Sequence, residues 1–199
     1  MVTAKEVLTT TSSSYTVKMM ENKFTLRKVG PQLWTREKAR PIRSWLGDVL
    51  ESMRVGDVLA IDASGVEVFD FSFAAELFGK TVATLGAEYP GRFLIVEGLT
   101  DCTRENLNQA LEGSNLLMIE RRGDKLALLG KVHPADEATF EGILEAGEAV
   151  SAGALSRKLD VNLTAMNERL SKLSSLGILR REKSSSASGR GQYVYKVMS

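Results

Sequence analysis

Thr164, Asn167, Glu168 and Ser171 stand three, one and three residues apart in the stretch Val161-Asn-Leu-Thr-Ala-Met-Asn-Glu-Arg-Leu-Ser-Lys-Leu-Ser-Ser-Leu-Gly-Ile-Leu179. On a helix that spacing puts them on one side. All four carry short hydrogen-bonding side chains. Asn can pair bidentately with adenine and Glu can accept from cytosine in a major groove, so the chemistry on offer is the reading of base edges. Lys172, Arg180, Arg181, Lys183, Arg190 and Lys196 surround them in sequence. Cations of this kind bind phosphate, which supplies affinity without sequence information. Glu168 works against that attraction, because it repels phosphate.

The flanking residues predict the elements that would hold this face. Asn162 is a helix cap, its side-chain oxygen taking a free N–H at the helix start. Met166, Leu170, Leu173 and Leu176 recur at helical steps and form a buried stripe. Gly177 suits the left-handed residue that ends a helix, and Ile178 and Leu179 open a strand. Upstream, Ser151–Leu159 is a short helix with Leu155 and Leu159 on one face, joined by the turn Asp160–Asn162. Phe140, Ile143 and Leu144 mark another helix after Pro134. Downstream, Ile178–Lys183 and Tyr193–Val197 are two strands around a Ser/Gly/Arg tip at Ser184–Gly191. This order resembles a winged helix-turn-helix domain. The resemblance implies double-stranded DNA as partner and a homodimer that presents two recognition helices about one helical turn apart. Winged helices that dock protein leave a second reading open.

Charge distribution agrees with a phosphate-binding C-terminal end. Residues 151–199 hold nine Lys+Arg against three Asp+Glu, while the remainder holds 17 against 22, so a formal charge of +1 hides a basic segment. Hydrophobic content of 43% and charged content of 26% are ordinary for a globular chain. No apolar run approaches a membrane span, and residues 1–14 lack the apolar core of a signal peptide. One cysteine, Cys102, permits no internal disulfide and fits a cytoplasmic location. Near a predicted helix start, Cys102 is expected to be a small buried residue, with a redox sensor as the alternative. One histidine, His133, with one cysteine makes a zinc site or a Cys-His or Ser-His-Asp engine improbable. Phosphate-cradling glycine loops and dinucleotide fingerprints are also lacking. No cofactor and no catalytic activity are expected.

Residues 15–130 read as alternating strands and helices. Phe24–Val29, Val58–Asp62 and Arg92–Val96 are predicted strands, the last two buried. Ala39, Ile42, Leu46, Val49 and Met53 mark a helix with Pro41 near its start. Phe73–Leu85 and Arg104–Leu111 are further helices, and Leu116–Glu120 with Lys125–Leu129 makes a hairpin across Arg122–Asp124. Within this pattern stand Thr35-Arg36 at the first helix, then Asp62, Gly65 and Val66 in a turn, then Phe73, Ala74, Glu76, Leu77 and Phe78. The region resembles a STAS domain, the fold of anti-sigma-factor antagonists, and more closely the STAS-like family of unknown function. Antagonists of that fold carry a phosphorylatable Ser where a turn opens a helix, and the resemblance places Ser72 there. A phosphate would meet free N–H groups at the helix start and alter a partner interface. Phe71 and Phe73 replace the small residues of that pattern. The alternative is that Ser72 caps the helix, although Ala75 stands where a capping box needs Glu or Gln.

Most of Phe69, Phe71, Phe73 and Phe78 is expected in the core, with a ring or two exposed as an interface. Arg36, Arg40 and Arg43 recur along one helix face and could hold an anion; a solvated face is the alternative. The expected architecture is therefore an α/β STAS-like sandwich (15–130) after a flexible tail (1–14), then a linker (131–135) and an α+β winged helix-turn-helix domain (136–199). The expected function is a DNA-binding regulator whose STAS-like domain assembles or senses, with a regulatory protein as a further partner and no membrane. A partner-switching adaptor is the rival reading. An enzyme using Asp62, Asp70 and Glu76 is the third, and those residues are better explained as turn and fold residues.

Overall fold

The computed structural model describes residues 22–185 and 191–198. The expected tail at 1–14, the first residues of the 15–130 region and Arg190 lie outside them. Strands β1 (Lys23–Thr25), β3 (Val58–Asp62), β5 (Phe93–Glu97), β6 (Leu117–Arg122) and β7 (Lys125–Gly130) form one sheet in the order β1-β3-β5-β6-β7. The first three pairings are parallel; β6 and β7 form an antiparallel hairpin turning at Gly123, whose φ is +59°. β3 and β5 are buried almost throughout, as parallel strands covered on both faces must be. A two-residue parallel pair, β2 (Gln32–Leu33) with β4 (Val68–Phe69), stands apart from this sheet.

Alternation along each strand assigns its side chains to two cores. Leu59 and Ile61, Leu94 and Val96, and Met118 face the first. Against them pack α1 (Arg36–Ser52), the helical run Phe71–Glu88 and α4 (Asp101–Glu112). Each connects strands that lie in one steady order across the sheet. Right-handed crossovers therefore put all of them on one face. The run Phe71–Glu88 consists of α2 (Phe71–Ala74), a π-helical stretch over Ala75–Gly79, and α3 (Lys80–Glu88).

Ala60, Ile95, Leu117 and Ile119 face the other way, and the C-terminal elements cover them. Those elements are α5 (Pro134–Ala146), β8 (Val150–Ser151), α6 (Ala152–Lys158), α7 (Leu163–Ser175), β9 (Leu179–Ser185) and β10 (Gly191–Val197). Phe140 and Ile143 of α5, Leu155 of α6, Met166, Leu170 and Leu173 of α7, and Ile178, Leu179, Tyr195 and Val197 join the same apolar cluster as the sheet residues. β8, β10 and β9 make a separate antiparallel sheet in that order. The C-terminal elements also meet α3: a Cβ built on Gly86 would lie 2.2 Å from the Ser175 carbonyl oxygen, and one on Gly177 2.8 Å from Leu85.

Several local structures differ from the sequence reading. The strand expected at Phe24–Val29 stops at Thr25 and continues as a 3-10 turn over Leu26–Lys28. Pro41 lies inside α1, the sixth of its residues and exposed, where it cannot give the N–H that would bond the Glu37 carbonyl. Leu50 rather than Val49 completes the buried stripe of α1. Cys102, expected to be buried, is exposed in the first turn of α4, since the buried residues there are Thr103, Leu107, Ala110 and Leu111. His133 is the N-cap of α5, its Nδ1 accepting from the Ala135 N–H at 3.2 Å.

Candidate nucleic-acid interface

α7 begins at Asn162, whose side-chain oxygen accepts from the Thr164 N–H at 2.7 Å. Met166, Leu170 and Leu173 anchor one side of the helix in the core. Thr164, Asn167, Glu168 and Ser171 consequently all lie exposed on the opposite side. Gly177 closes the helix with φ +73°, the left-handed geometry its place requires.

The five described members of the six expected phosphate-binding cations do not form one surface. Lys172 is taken up by an ion pair: its Nζ lies 2.6 Å from Oδ2 of Asp136, a carboxylate almost fully buried at the start of α5. Its charge balances a buried acid before it can serve an external phosphate. Arg180 and Lys196 pair across β9 and β10 and face away from the core side of the hairpin, where Arg180 is bound to Glu182. A shallow depression there is lined by Gly147, Glu148, Arg180, Glu182, Val194 and Lys196. Arg181 and Lys183 stand on the other face, with Leu179, Tyr195 and Tyr193.

That second face adjoins α7. Ser151, Gly153, Leu163, Asn167, Gln192 and Tyr193 line one open groove between the starts of α6 and α7 and the strand β10. The Arg181 guanidinium lies over the Tyr193 ring, 3.7 Å from its centroid, an arrangement in which the ring face attracts the cation. A hydrogen bond from Arg181, then its charge and that of Lys183, hold the Tyr193 hydroxyl below the usual phenol range. Sequence reasoning missed Tyr193 and Leu163 as surface residues. The alternation Tyr193–Val197 could have shown that Tyr193 shares a face with Tyr195 and extends beyond the core.

At the α2 start, the structure assigns the capping role to Asp70 and not to Ser72. Asp70 Oδ1 accepts from the Phe73 N–H at 2.7 Å, and its carboxylate also takes the Thr35 N–H at 3.3 Å. Ser72 is the second residue of α2 and is half-buried. Of the nearby rings, Phe69, Phe73 and Phe78 are buried and Phe71 is 45% exposed. Asp62 forms a turn, Oδ1 accepting from the Ser64 N–H at 2.8 Å, and pairs with Lys23 at 3.1 Å. Burial pushes its carboxyl upward, but the bonds from Ser64 and Lys23 outweigh this and leave it below the usual range. Among the described residues no group of three His, Cys, Asp or Glu is placed to hold a metal ion, and no helix is long and apolar enough to cross a membrane.

No family model matches the chain, and no curated protein matches it. Among solved structures, it is similar to a possible transcriptional regulator from Methanosarcina mazei Go1, at 21% identity and a TM-score of 0.32, over 41% of this chain and 74% of that one. That likeness is too slight to bear on fold or function.

Proposed function

We propose that this chain is a DNA-binding regulator in which the elements from α5 to β10 act as a winged helix. One observation carries the reading. Asn167 on the exposed polar face of α7 and Tyr193, whose ring lies under the Arg181 guanidinium, line one groove. Thr164, Asn167, Glu168 and Ser171 are the base-reading candidates on α7. Arg181 and Lys183 are the phosphate contacts, and Arg190 is a further candidate from its place in the sequence. The region from β1 to β7 is the STAS-like part and serves assembly or sensing, with two chains pairing so that two copies of α7 meet successive half-sites. The reading assigns no catalysis.

Fluorescence anisotropy with random-sequence duplex DNA, at low and moderate salt, tests this. Binding should weaken steeply as salt rises. The double variant Arg181→Gln, Lys183→Gln should flatten the log–log slope by about 1.8, two phosphate contacts at roughly 0.9 each. The pair Arg180→Gln, Lys196→Gln should leave it nearly unchanged. Absence of binding at low salt would sink the proposal.

A docking adaptor is the second reading. Leu163 is 50% exposed and Tyr193 is exposed in the same groove, and Glu168 repels phosphate beside them. Exposed apolar side chains beside an acid suit a protein partner. Such binding would require that partner and would respond weakly to salt.

A further inference from the structure

We infer that the cations gathered on Glu76 between α1 and the π-helical stretch form a binding site for a small ligand bearing a dianionic phosphate group. Glu76 lies within that stretch and is only 1% exposed. Such insertions widen a helix locally and are frequent at functional sites. Three cations converge on this carboxylate. Lys80 Nζ is 2.6 Å from Oε2, Arg43 Nε is 3.3 Å from Oε1, and Arg40 Nε is 3.9 Å from Oε1. These are ion pairs by distance without hydrogen-bond geometry: both Glu76 oxygens and the buried Arg43 Nε lack a hydrogen-bond partner.

One cation is enough to balance the charge of one buried carboxylate. Here three cations face one carboxylate, leaving two positive charges held together against their own repulsion. A dianion resolves that imbalance. The cationic side chains keep between 40% and 60% of their surface exposed, so the donors that Glu76 does not engage face solvent. An arginine carries five N–H donors in a fork that fits phosphate, and a lysine carries three. Glu76 is then a positioning residue that draws the three heads to one place.

The surroundings leave room for a ligand. No side chain stands between Glu76 and Lys80 at Gly79, where an added Cβ would meet no atom within 4 Å. The β2–β4 register sets Leu33 beside Phe69, so Trp34 follows one strand by one residue and Phe71 the other by two, near the starts of α1 and α2. Both are large and exposed, at 43% and 45%. An aromatic or otherwise planar group attached to the phosphate would find a shelf there. Trp34, just ahead of the helix that carries Arg40 and Arg43, also supplies a fluorescence signal.

The experiment is a calorimetric titration of the full chain, with Trp fluorescence in parallel, using inorganic phosphate and separately phenyl phosphate at low ionic strength. Saturable binding is expected in the wild type, weakened about tenfold or more in each of Arg40→Gln and Lys80→Gln, as loss of a charge-assisted contact predicts. The thermal midpoint of Arg40→Gln should be unchanged, which separates lost binding from lost folding. Affinity should also be unchanged in Arg181→Gln, Lys183→Gln, which separates this site from the hairpin surface. Tighter binding of phenyl phosphate supports a ligand with an aromatic group, and equal affinities support recognition of the phosphate alone. No saturation in the wild type at millimolar ligand, or affinity indifferent to both Arg40→Gln and Lys80→Gln, overturns the proposal.

Discussion

Gly86→Ala should destabilise this protein, although the residue is an exposed glycine in a helix. At an ordinary exposed helical site, Gly→Ala stabilises by about 1 kcal/mol through helix propensity. Here the new Cβ would stand 2.2 Å from the Ser175 carbonyl oxygen and 3.3 Å from its carbon. Ordinary contact returns only if α3 and the end of α7 part by roughly 1 Å, which forfeits much of the dispersion attraction along their meeting line. The obstructing atom is backbone, so no side-chain rotation relieves it. Overpacking of this kind costs typically 1–3 kcal/mol, and the upper part of that range applies. Net of propensity, the variant should lose about 1–2 kcal/mol. For a chain of this length that lowers Tm by roughly 2–8 °C. Gly79→Ala is the matched control, since its Cβ meets nothing within 4 Å; it should gain up to about 1 kcal/mol. Thermal and urea unfolding of the two variants beside the wild type decide the matter. If Gly86→Ala proves as stabilising as Gly79→Ala, α3 and α7 do not meet as described, and the close seating of the C-terminal elements is wrong.

Three other outcomes follow from the same structure. Asn162→Ala should cost about 1 kcal/mol in urea unfolding, because it frees the Thr164 N–H at the start of α7. Lys172→Ala should destabilise by about 1–2 kcal/mol, because Asp136 stays buried without its cation while the half-exposed Lys172 loses little itself; adding Asp136→Asn should recover part of the loss. For Glu76, burial raises the carboxyl pKa, but Lys80, Arg43 and Arg40 together outweigh it and hold the group below its usual 4.5. A depressed folded-state value contributes stability that is fully present above the unfolded pKa and is lost as pH falls through the folded one. Stability of the wild type should therefore fall from about pH 5 downward, and Glu76→Gln should flatten that fall; parallel acid limbs would refute the assignment.

Periodicity made most elements legible in the sequence. The stripe Met166, Leu170, Leu173 and the cap Asn162 define α7 without further information, and the apolar runs of β3 and β5 could hardly be anything but buried strands. Interactions set by tertiary contact were not legible. Lys172 looks free until α5 brings Asp136 against it from 36 residues away. Arg180 and Arg181 look equivalent, yet one turns away from α7 and the other toward Tyr193, because side chains of a strand alternate. Ser72 drew attention through a family pattern, whereas Asp70, two residues earlier, has the right position and extended backbone to cap α2. The π-helical stretch has no periodic signature in the sequence, so Glu76 read as a fold residue, Arg40 and Arg43 as part of a separate arginine face, and Lys80 drew no attention.

The assignment of Ala60, Ile95, Leu117 and Ile119 to the same core as α5–α7 has a practical consequence for dissecting the chain. Cutting within 131–135 would not yield two well-behaved fragments. The N-terminal piece would present a bare apolar sheet face to water, and the C-terminal piece would lose the floor beneath Phe140 and Ile143. Each should associate with itself or with the other, and co-expressed halves should reassemble from separate polypeptides. Fragment studies of DNA or ligand binding are therefore better replaced by point variants in the intact chain.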